Sequence, residues 1–216
     1  MLVNLLYFIF LLLVIVLFFV CYFKEEEKTV RNIAVYSGSF DPLHIGHKAI
    51  IEEISKIYDW AYLIVTPQNP LKEKKSSNLA DRVKNAHDAL LRNEIFNVTI
   101  SDIEKNMEPP YYTVRTLDEL KKTMPHNNIT LIIGADNLQN IKEWKNYQEL
   151  LTKYGVLVFP RGGFGVSELE NLKQELLLEN PEYKIEINHT IIPTISSTEI
   201  RKMLEIGDGD VKKLLM

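Results

Sequence analysis

The chain has 216 residues, of which 46% are hydrophobic and 25% are charged, and its formal net charge at pH 7 is −4. This composition is typical of a globular protein with one sizeable core, and it excludes two large domains. The slight acidic excess, with a pI near 5.8, does not favour a nucleic acid as partner. Cys21 is the single cysteine, which excludes a disulfide framework and a cysteine-based zinc site.

The first part of the chain is strongly apolar. Residues 2–23 carry no charge, and a helix of that length would span roughly 33 Å, enough to cross the core of a bilayer. Apolar side chains on all sides of such a helix predict a single transmembrane helix, so we expect a membrane partner through residues 2–23. Basic residues follow this segment and none precedes it, which predicts that the rest of the chain faces the cytosol.

Three alternatives to a membrane anchor remain open. A cleaved signal peptide would need a basic start and small residues at a cleavage site, and the sequence has neither. A lipoprotein would use Cys21, although the bulky residues 18–20 suit that processing poorly. A misassigned start would give a soluble cytoplasmic protein, yet the next methionine is Met107. We therefore predict a membrane anchor in residues 1–23, a charged linker in 24–30 and a domain in 31–216.

Beyond the linker, short apolar runs typical of buried strands alternate with runs of helical spacing. The predicted strands are 33–36, 61–66, 97–100, 129–133, 156–159 and 184–187. The predicted helices are 48–57, 79–91, 113–122, 147–151, 168–178 and 197–206. This alternation predicts an α/β, Rossmann-like fold, a doubly wound parallel sheet with helices on both faces. Such sheets bind ligands beyond the carboxyl ends of their strands.

The loop after the first predicted strand contains the motif GSFDPLHIGH at residues 38–47. His44 and His47 are three residues apart and would share one side of a helix start. Gly38, before the two histidines, lets the backbone approach a ligand, and the helix N-terminus favours a phosphate. No third metal ligand stands at zinc-site spacing, a P-loop motif is absent, and a dinucleotide fingerprint does not follow the strand. The motif therefore predicts a phosphate site without protein metal ligands.

This motif strongly resembles the signature of the nucleotidylyltransferase superfamily, GxFDPxHxGH, at every specified position. A second mark of that superfamily, ISSTxIR, is similar to residues 195–201. Four further stretches resemble the nicotinate or nicotinamide mononucleotide adenylyltransferases: TPQNPLK at 66–72, LADR at 79–82, YTVRTL at 112–117, and GADNL at 134–138 with Trp144 downstream. The resemblance extends from about residue 33 to residue 206.

The resemblance implies an enzyme of NAD biosynthesis that transfers AMP from ATP to the 5′-phosphate of nicotinate or nicotinamide mononucleotide. Mg²⁺ would accompany ATP. It implies catalytic roles for His44, His47 and Arg201. The implied ATP-binding residues are Gly38, Ser39, Phe40, His44, His47, Ser196, Ser197, Thr198 and Arg201. The implied mononucleotide-binding residues are Lys72, Tyr112, Thr113, Asp136 and Trp144, with the Trp144 indole as a platform for the pyridine ring.

Several other interpretations stay open. Asp136 could cap the following helix, and Trp144 could be a partly buried core residue. Leu71 stands where the resembled family has a histidine, which weakens the prediction for Lys72. The closest enzyme alternative is another adenylyl- or cytidylyltransferase, of the pantetheine-phosphate type. An inactive, membrane-tethered nucleotide-binding module is the alternative from another class. The sequence does not decide between the acid and the amide mononucleotide, and it leaves a homo-oligomer open.

Overall fold

The structure is a computed structural model that describes residues 7, 10–16, 29–68, 77–161 and 163–216. Arg31–Met216 form one compact unit. Its sheet consists of the strands β1 (Asn32–Gly38), β2 (Trp60–Val65), β3 (Val98–Ser101), β4 (Asn128–Gly134), β5 (Val156–Phe159) and β6 (Ile185–Ile187). Each lies within two residues of a strand predicted from an apolar run.

All strand pairs in this sheet are parallel, and the spatial order is β3-β2-β1-β4-β5-β6. The predicted Rossmann-like parallel sheet is therefore present. From β1 to β3 the strands follow one another towards one edge of the sheet, and from β4 to β6 towards the other edge. The strand order therefore reverses between β1 and β4. A crevice opens at such a switch point, beyond the carboxyl ends of the two strands.

Helices connect the strands and cover the sheet. They are α1 (Ile45–Ile57), α2 (Leu79–Arg92), α3 (Thr113–Thr123), α4 (Ala135–Gln139), α5 (Tyr147–Lys153), α6 (Val166–Glu179), α7 (Ser197–Glu205) and α8 (Val211–Leu214). Two 3₁₀ turns, Ile103–Asn106 and Ile141–Glu143, follow β3 and α4. The two turns and the short helices α4 and α8 were not predicted.

The core lies on both faces of the sheet. Alternate residues of a strand point to opposite faces, so in β1 Ile33 and Val35 join one cluster while Ala34 and Tyr36 join the other. Buried side chains of α1 and α2 complete the cluster that contains Ala34, and those of α3, α5 and α6 complete the other. This packing fixes the carboxyl ends of β1 and β4 side by side.

The prediction of a transmembrane helix over residues 2–23 is wrong. Among the residues that the structure describes, no helix is long and apolar enough to cross a membrane. Apart from Tyr7 and residues 10–16, the predicted segment lies outside the described residues. The membrane partner and the cytosol-facing orientation depended on this helix, and we do not retain them.

Candidate functional site

The two histidines of the 38–47 motif lie together at the beginning of α1. His44 is the N-cap of this helix, and its ring stacks on the His47 ring with 3.8 Å between centroids. The side chains are buried, at 2% and 8% exposure. The backbone N–H of His44 donates to His47 Nδ1 at 3.4 Å. In a neutral His47 this bond places the proton on Nε2, which makes that atom a hydrogen-bond donor.

His44 is held in its uncharged form. Burial and the nearby Arg161 guanidinium lower its pKa to about 4, against the opposing charge of Glu199. Its Nδ1 is buried and has no hydrogen-bond partner among the described residues. Gly46 makes room for the ring, because a Cβ there would lie 3.2 Å from His44 Nδ1 and 3.0 Å from the Pro193 carbonyl oxygen. At pH 7 His44 is therefore a neutral imidazole.

This lowered pKa predicts a pH dependence of stability. Between about pH 4 and pH 6.5 the unfolded chain binds a proton at His44 that the folded chain does not. The free energy of unfolding should therefore rise with pH across this interval and stop rising above it. His44→Asn should flatten that slope, as measured by urea unfolding at pH 4.5, 5.5 and 7. His126→Asn, which removes an exposed histidine, is the control, and an equal slope in both variants would contradict the prediction.

The second predicted part, at the start of α7, packs directly on the motif loop. Arg201 Nη1 donates to the Asp41 carbonyl oxygen at 2.5 Å, and its Nη2 donates to Thr198 Oγ1 at 3.0 Å. Ser197 Oγ donates to the Pro42 carbonyl oxygen at 3.1 Å. The structure thus brings Arg201, Ser197 and Thr198 to the loop that carries the histidines, although 155 residues separate Pro42 from Ser197.

Ser196 has a structural task of its own. It is the N-cap of α7, and its hydroxyl accepts from the Glu199 backbone N–H at 3.2 Å. The Glu199 carboxylate accepts in return from the Ser196 backbone N–H at 2.7 Å and from its hydroxyl at 2.8 Å. This capping box satisfies the first turn of the helix. A phosphate contact by the Ser196 hydroxyl would have to compete with it.

Phe40 shapes the motif loop from within. Its side chain is 3% exposed, and its ring packs edge-on against Tyr36 and His47. A Cβ on Gly38 would lie 3.1 Å from the Phe40 ring. The Phe40 backbone has φ +45°, a left-handed conformation that L residues rarely adopt and that surrounding packing must hold. The Phe40 side chain is therefore part of the packing beneath the loop.

Arg82 connects the loops around this site, and its role was not predicted. The side chain is 3% exposed. Its guanidinium donates to the carbonyl oxygens of Ser39 at 2.7 Å, Thr66 at 2.8 Å, Pro67 at 3.3 Å and Ser77 at 3.1 Å. One cation thus fixes the backbone after β1 and after β2 relative to each other.

Asp41 completes this arrangement. Its carboxylate accepts from the Ser77 backbone N–H at 3.0 Å and from the Ser77 hydroxyl at 2.7 Å. Burial alone would raise the pKa of Asp41, but the two Ser77 bonds and the charges of Arg201 and Arg82 lower it. The carboxylate therefore holds the loop through Ser77.

A cavity of about 130 Å³ opens at the switch point, lined there by residues 37–38 at the end of β1 and 131–133 of β4. It contains four predicted site residues, Gly38, Tyr112, Thr113 and Trp144. The remaining lining residues are Ser37, Thr66, Glu104, Tyr111, Leu131, Ile132, Ile133, Asn137, Glu143 and Lys145. Trp144 is partly buried, and its indole Nε1 has no hydrogen-bond partner among the described residues. The cavity combines an aromatic wall with a small number of polar groups, as ligand pockets usually do.

Glu104, in the 3₁₀ turn after β3, is a buried carboxyl in this cavity that was not predicted. It is 2% exposed, and its Oε1 accepts from Thr116 Oγ1 at 2.7 Å. Burial raises its pKa, although hydrogen bonds from Thr66 and Thr116 act in the opposite direction. The sequence gives no sign of this, because a lone glutamate near a turn usually lies in solvent.

Asp136 does not line the cavity. Its carboxylate pairs with Arg161, with Nε 3.1 Å from Oδ1 and Nη2 3.3 Å from Oδ2. Gly134 permits this pair, because a Cβ there would lie 2.6 Å from Asp136 Oδ1 and 2.9 Å from Arg161 Nε. Asp136 makes no side-chain cap bond to α4. Its predicted contact with a ribose would have to share the carboxylate with Arg161.

Two further predictions concern Lys72 as a mononucleotide contact and metal ligands supplied by the protein. Lys72 lies outside the described residues. In the described parts of the chain, no group of three or more His, Cys, Asp or Glu side chains is placed to hold a metal ion.

Comparison with known proteins agrees with the geometry. The family model described as cytidylyltransferase-like matches residues 35–203 of this chain. A probable nicotinate-nucleotide adenylyltransferase of Flavobacterium johnsoniae is 36% identical over 177 residues, which cover 81% of this chain and 87% of that protein. One of Cytophaga hutchinsonii, described in the same words, is 34% identical over 187 residues, covering 85% and 95%.

A solved structure is also similar. The Plasmodium falciparum nicotinic acid mononucleotide adenylyltransferase complexed with NaAD superimposes with a TM-score of 0.70, covering 86% of this chain and 90% of that one. At 22% identity this likeness shows the fold alone. The family match and the two bacterial relatives show the family as well as the fold, because each covers most of this chain. The chain therefore belongs to the cytidylyltransferase-like family and, within it, to the nicotinate-nucleotide adenylyltransferases, as the resemblance of its motifs predicts.

Proposed function

We propose that the chain transfers AMP from ATP to the 5′-phosphate of nicotinate mononucleotide, which yields the dinucleotide and pyrophosphate. The observation that carries this proposal is that two different half-sites lie at the β1–β4 switch point. One has the His44–His47 pair and Arg201, which suit phosphates. The other is the cavity with Trp144, which suits a flat ring.

In the proposed reaction a 5′-phosphate oxygen of the mononucleotide attacks the α-phosphorus of ATP. The bond from that phosphorus to the oxygen bridging to the β-phosphate breaks, and pyrophosphate leaves with the electron pair. The attacking phosphate is already anionic, so a covalent enzyme intermediate is not needed. Catalysis then consists of holding the two phosphates in line and stabilising the charge that develops on the transferring and leaving groups.

The ATP half of the site would be built from the motif loop and α7. We assign His44 and His47 as donors to the ATP phosphates, and Arg201 as the cation for the departing β- and γ-phosphates. Gly38, Ser39 and Phe40 contribute main-chain groups. Ser196, Ser197 and Thr198 contribute hydroxyl or backbone donors at a helix N-terminus, where anions are favoured. Because buried donors already lie in fixed positions, they do not have to reorganise during the reaction.

The mononucleotide half would be the cavity. Trp144 offers a face for the electron-poor pyridine ring, and Tyr112 and Thr113 flank it with hydroxyl and backbone donors. Asp136 would contact a ribose hydroxyl with the oxygen lone pairs that Arg161 leaves unused, and Lys72 would add a cation from the loop after β2. The names of the two bacterial relatives favour the acid mononucleotide over the amide.

Mg²⁺ would enter with ATP as part of the substrate. The donor set agrees with this, because the described residues hold no carboxylate cluster, and Asp41, the carboxylate of the motif loop, is engaged by Ser77. Phosphate oxygens and water can complete the octahedral shell that Mg²⁺ prefers, and the ion neutralises charge on the phosphates. All contacts described here lie within one chain, so self-association stays a prediction.

The test is an assay of the full chain with ATP, Mg²⁺ and one acceptor at a time. We expect pyrophosphate and dinucleotide with nicotinate mononucleotide, and less with the amide. Phosphopantetheine is the control for the alternative enzyme class. Product with phosphopantetheine alone would overturn the proposal. ATP binding without product from any acceptor would favour an inactive nucleotide-binding module.

A further inference from the structure

The position of Trp144 depends on the short connection between α4 and α5. Within this connection the Trp144 backbone N–H donates to the Ile141 carbonyl oxygen at 3.0 Å, and the Tyr147 N–H donates to the Trp144 carbonyl oxygen at 3.3 Å. Asn146 has φ +56°, a left-handed conformation that surrounding contacts must hold. Contacts made by the residues on either side of Trp144 therefore determine where its indole lies.

One carboxylate contacts the connection on both sides of Trp144. It belongs to Glu179, the last residue of α6. Its Oε2 lies 2.7 Å from Lys142 Nζ, two residues before Trp144. Its Oε1 accepts from the Tyr147 hydroxyl at 2.6 Å, three residues after Trp144. Glu179 thus holds the two ends of the segment that carries the tryptophan.

Tyr183 holds the carboxylate from the core. Its hydroxyl donates to the same Glu179 Oε1 at 3.1 Å, and its ring packs edge-on against the Tyr147 ring with 6.4 Å between centroids. The Tyr183 side chain is 5% exposed and belongs to the same buried cluster as Ile141. The connection is therefore fixed relative to the core through Glu179.

The network is stronger than a single ion pair at the surface. A lone exposed pair contributes little, because solvent screens it and its side chains lose entropy. Here three donors converge on one carboxylate, and two of them are hydroxyls on rings that pack against each other. Their bonds lower the pKa of Glu179 to about 2, with Lys142 the largest cause and Tyr147 the next. The carboxylate is therefore ionised at every pH at which the protein would be assayed.

Resting on the proposed function, we propose that Glu179 is a positioning residue for the mononucleotide. It fixes the connection that carries Trp144, and thereby the face on which the pyridine ring stacks. The cavity wall formed by the described residues includes Trp144 but not Glu179, so Glu179 acts through the tryptophan. The ATP half of the site comes from other connections, the loop after β1 and α7, and does not depend on this network.

The test is steady-state kinetics of the full chain with Glu179→Gln and, separately, Tyr147→Phe. Both changes keep most of the side-chain volume and remove a charged hydrogen bond. We expect each to raise KM for nicotinate mononucleotide about threefold to tenfold, the usual effect of losing such a bond. KM for ATP and kcat should each stay within about twofold, because the groups around the phosphates are unchanged. An unchanged KM for the mononucleotide in Glu179→Gln would overturn the inference.

Two further variants separate positioning from general effects. The double variant Glu179→Gln with Tyr147→Phe should exceed the larger single effect only slightly, because both changes remove the same bond. Glu175→Gln is the matched control, since it removes an exposed charge one helical turn earlier on α6 that acts on Lys142 only through its field. Its KM for the mononucleotide should stay within about twofold of the wild-type value. An equal rise in Glu175→Gln, or an equal rise of both substrates' KM values in Glu179→Gln, would contradict a positioning role.

A second measurement does not depend on turnover. The chain has two tryptophans, so Trp60→Phe leaves Trp144 as the source of indole emission. In that background, nicotinate mononucleotide should quench the emission, and Glu179→Gln should raise the midpoint of the titration by the same factor as KM. An unchanged midpoint would contradict the inference. The outcomes separate the two proposals: a lack of product from both mononucleotides defeats the proposed function, whereas product with an unchanged KM in Glu179→Gln defeats only the role of Glu179.

Discussion

His47→Ala should lower kcat by about 100- to 1,000-fold and change KM for ATP little. The His47 ring is buried against Phe40 and His44, and the bond from the His44 N–H to Nδ1 makes Nε2 the donor. In the proposed reaction that donor stabilises charge which develops only as the α-phosphoryl group transfers. A group that acts in the transition state alone affects turnover rather than ground-state binding. Steady-state kinetics with varied ATP measure both constants.

Two controls separate chemistry from packing. His47→Asn keeps a donor on a shorter side chain and should recover part of the lost turnover. His87→Ala removes an exposed histidine from α2 and should leave both constants unchanged. If His47→Ala raised KM for ATP and kept kcat, the residue would bind ATP without contributing to the chemical step, and its proposed catalytic role would be wrong.

Arg82→Met should lower the free energy of unfolding by about 3–5 kcal/mol, the usual effect of breaking a buried network of charged hydrogen bonds. The methionine keeps much of the side-chain volume, but the carbonyl oxygens of Ser39, Thr66, Pro67 and Ser77 lose their donor. Water can reach only part of that space, since Arg82 is 3% exposed. Urea unfolding monitored by circular dichroism gives the difference.

The matched control for Arg82 is Arg115→Met. Arg115 also donates to two backbone carbonyl oxygens, those of Glu108 at 3.2 Å and Pro110 at 3.1 Å, but it is exposed. Solvent can replace those bonds, so the loss should stay within about 0.5 kcal/mol. Similar losses in the two variants would show that burial of Arg82 is not what makes its bonds important.

The sheet could be predicted because the local pattern of each strand is strong. Apolar runs such as 129–133 read as buried strands of a parallel sheet, and the helices between them have a clear 3.6-residue period. The helix α4 has five residues and the turn Ile103–Asn106 has four, too few for a period to emerge. The order of the strands in the sheet was not predicted, because strand pairing joins segments that are far apart in the chain.

The site was predictable only where its residues belong to a local motif. The sequence identifies His44 and His47 because both stand in one loop. The functions of Glu104, Arg82 and Arg161 depend on partners in other segments, and charged residues are usually exposed. For Asp136 the sequence predicts a ligand contact from its place after β4, but it does not reveal the pair with Arg161.

The error at residues 2–23 has a different origin. Hydropathy reports how apolar a segment is, and from it we predicted a helix over the whole of residues 2–23. The structure describes Tyr7 and residues 10–16 of this segment, and the described parts hold no helix that could span a bilayer. Apolar composition over 22 positions was therefore insufficient evidence for a spanning helix.

The two half-sites come from different connections of the sheet. The histidines and Arg201 belong to the loop after β1 and to α7, whereas Glu104, Tyr112 and Trp144 follow β3 and β4. A lineage could therefore exchange one acceptor for another by altering the second set of loops, while selection preserved the first set for the same nucleoside triphosphate. Duplicated copies of such a gene could diverge in substrate without passing through an inactive ancestor.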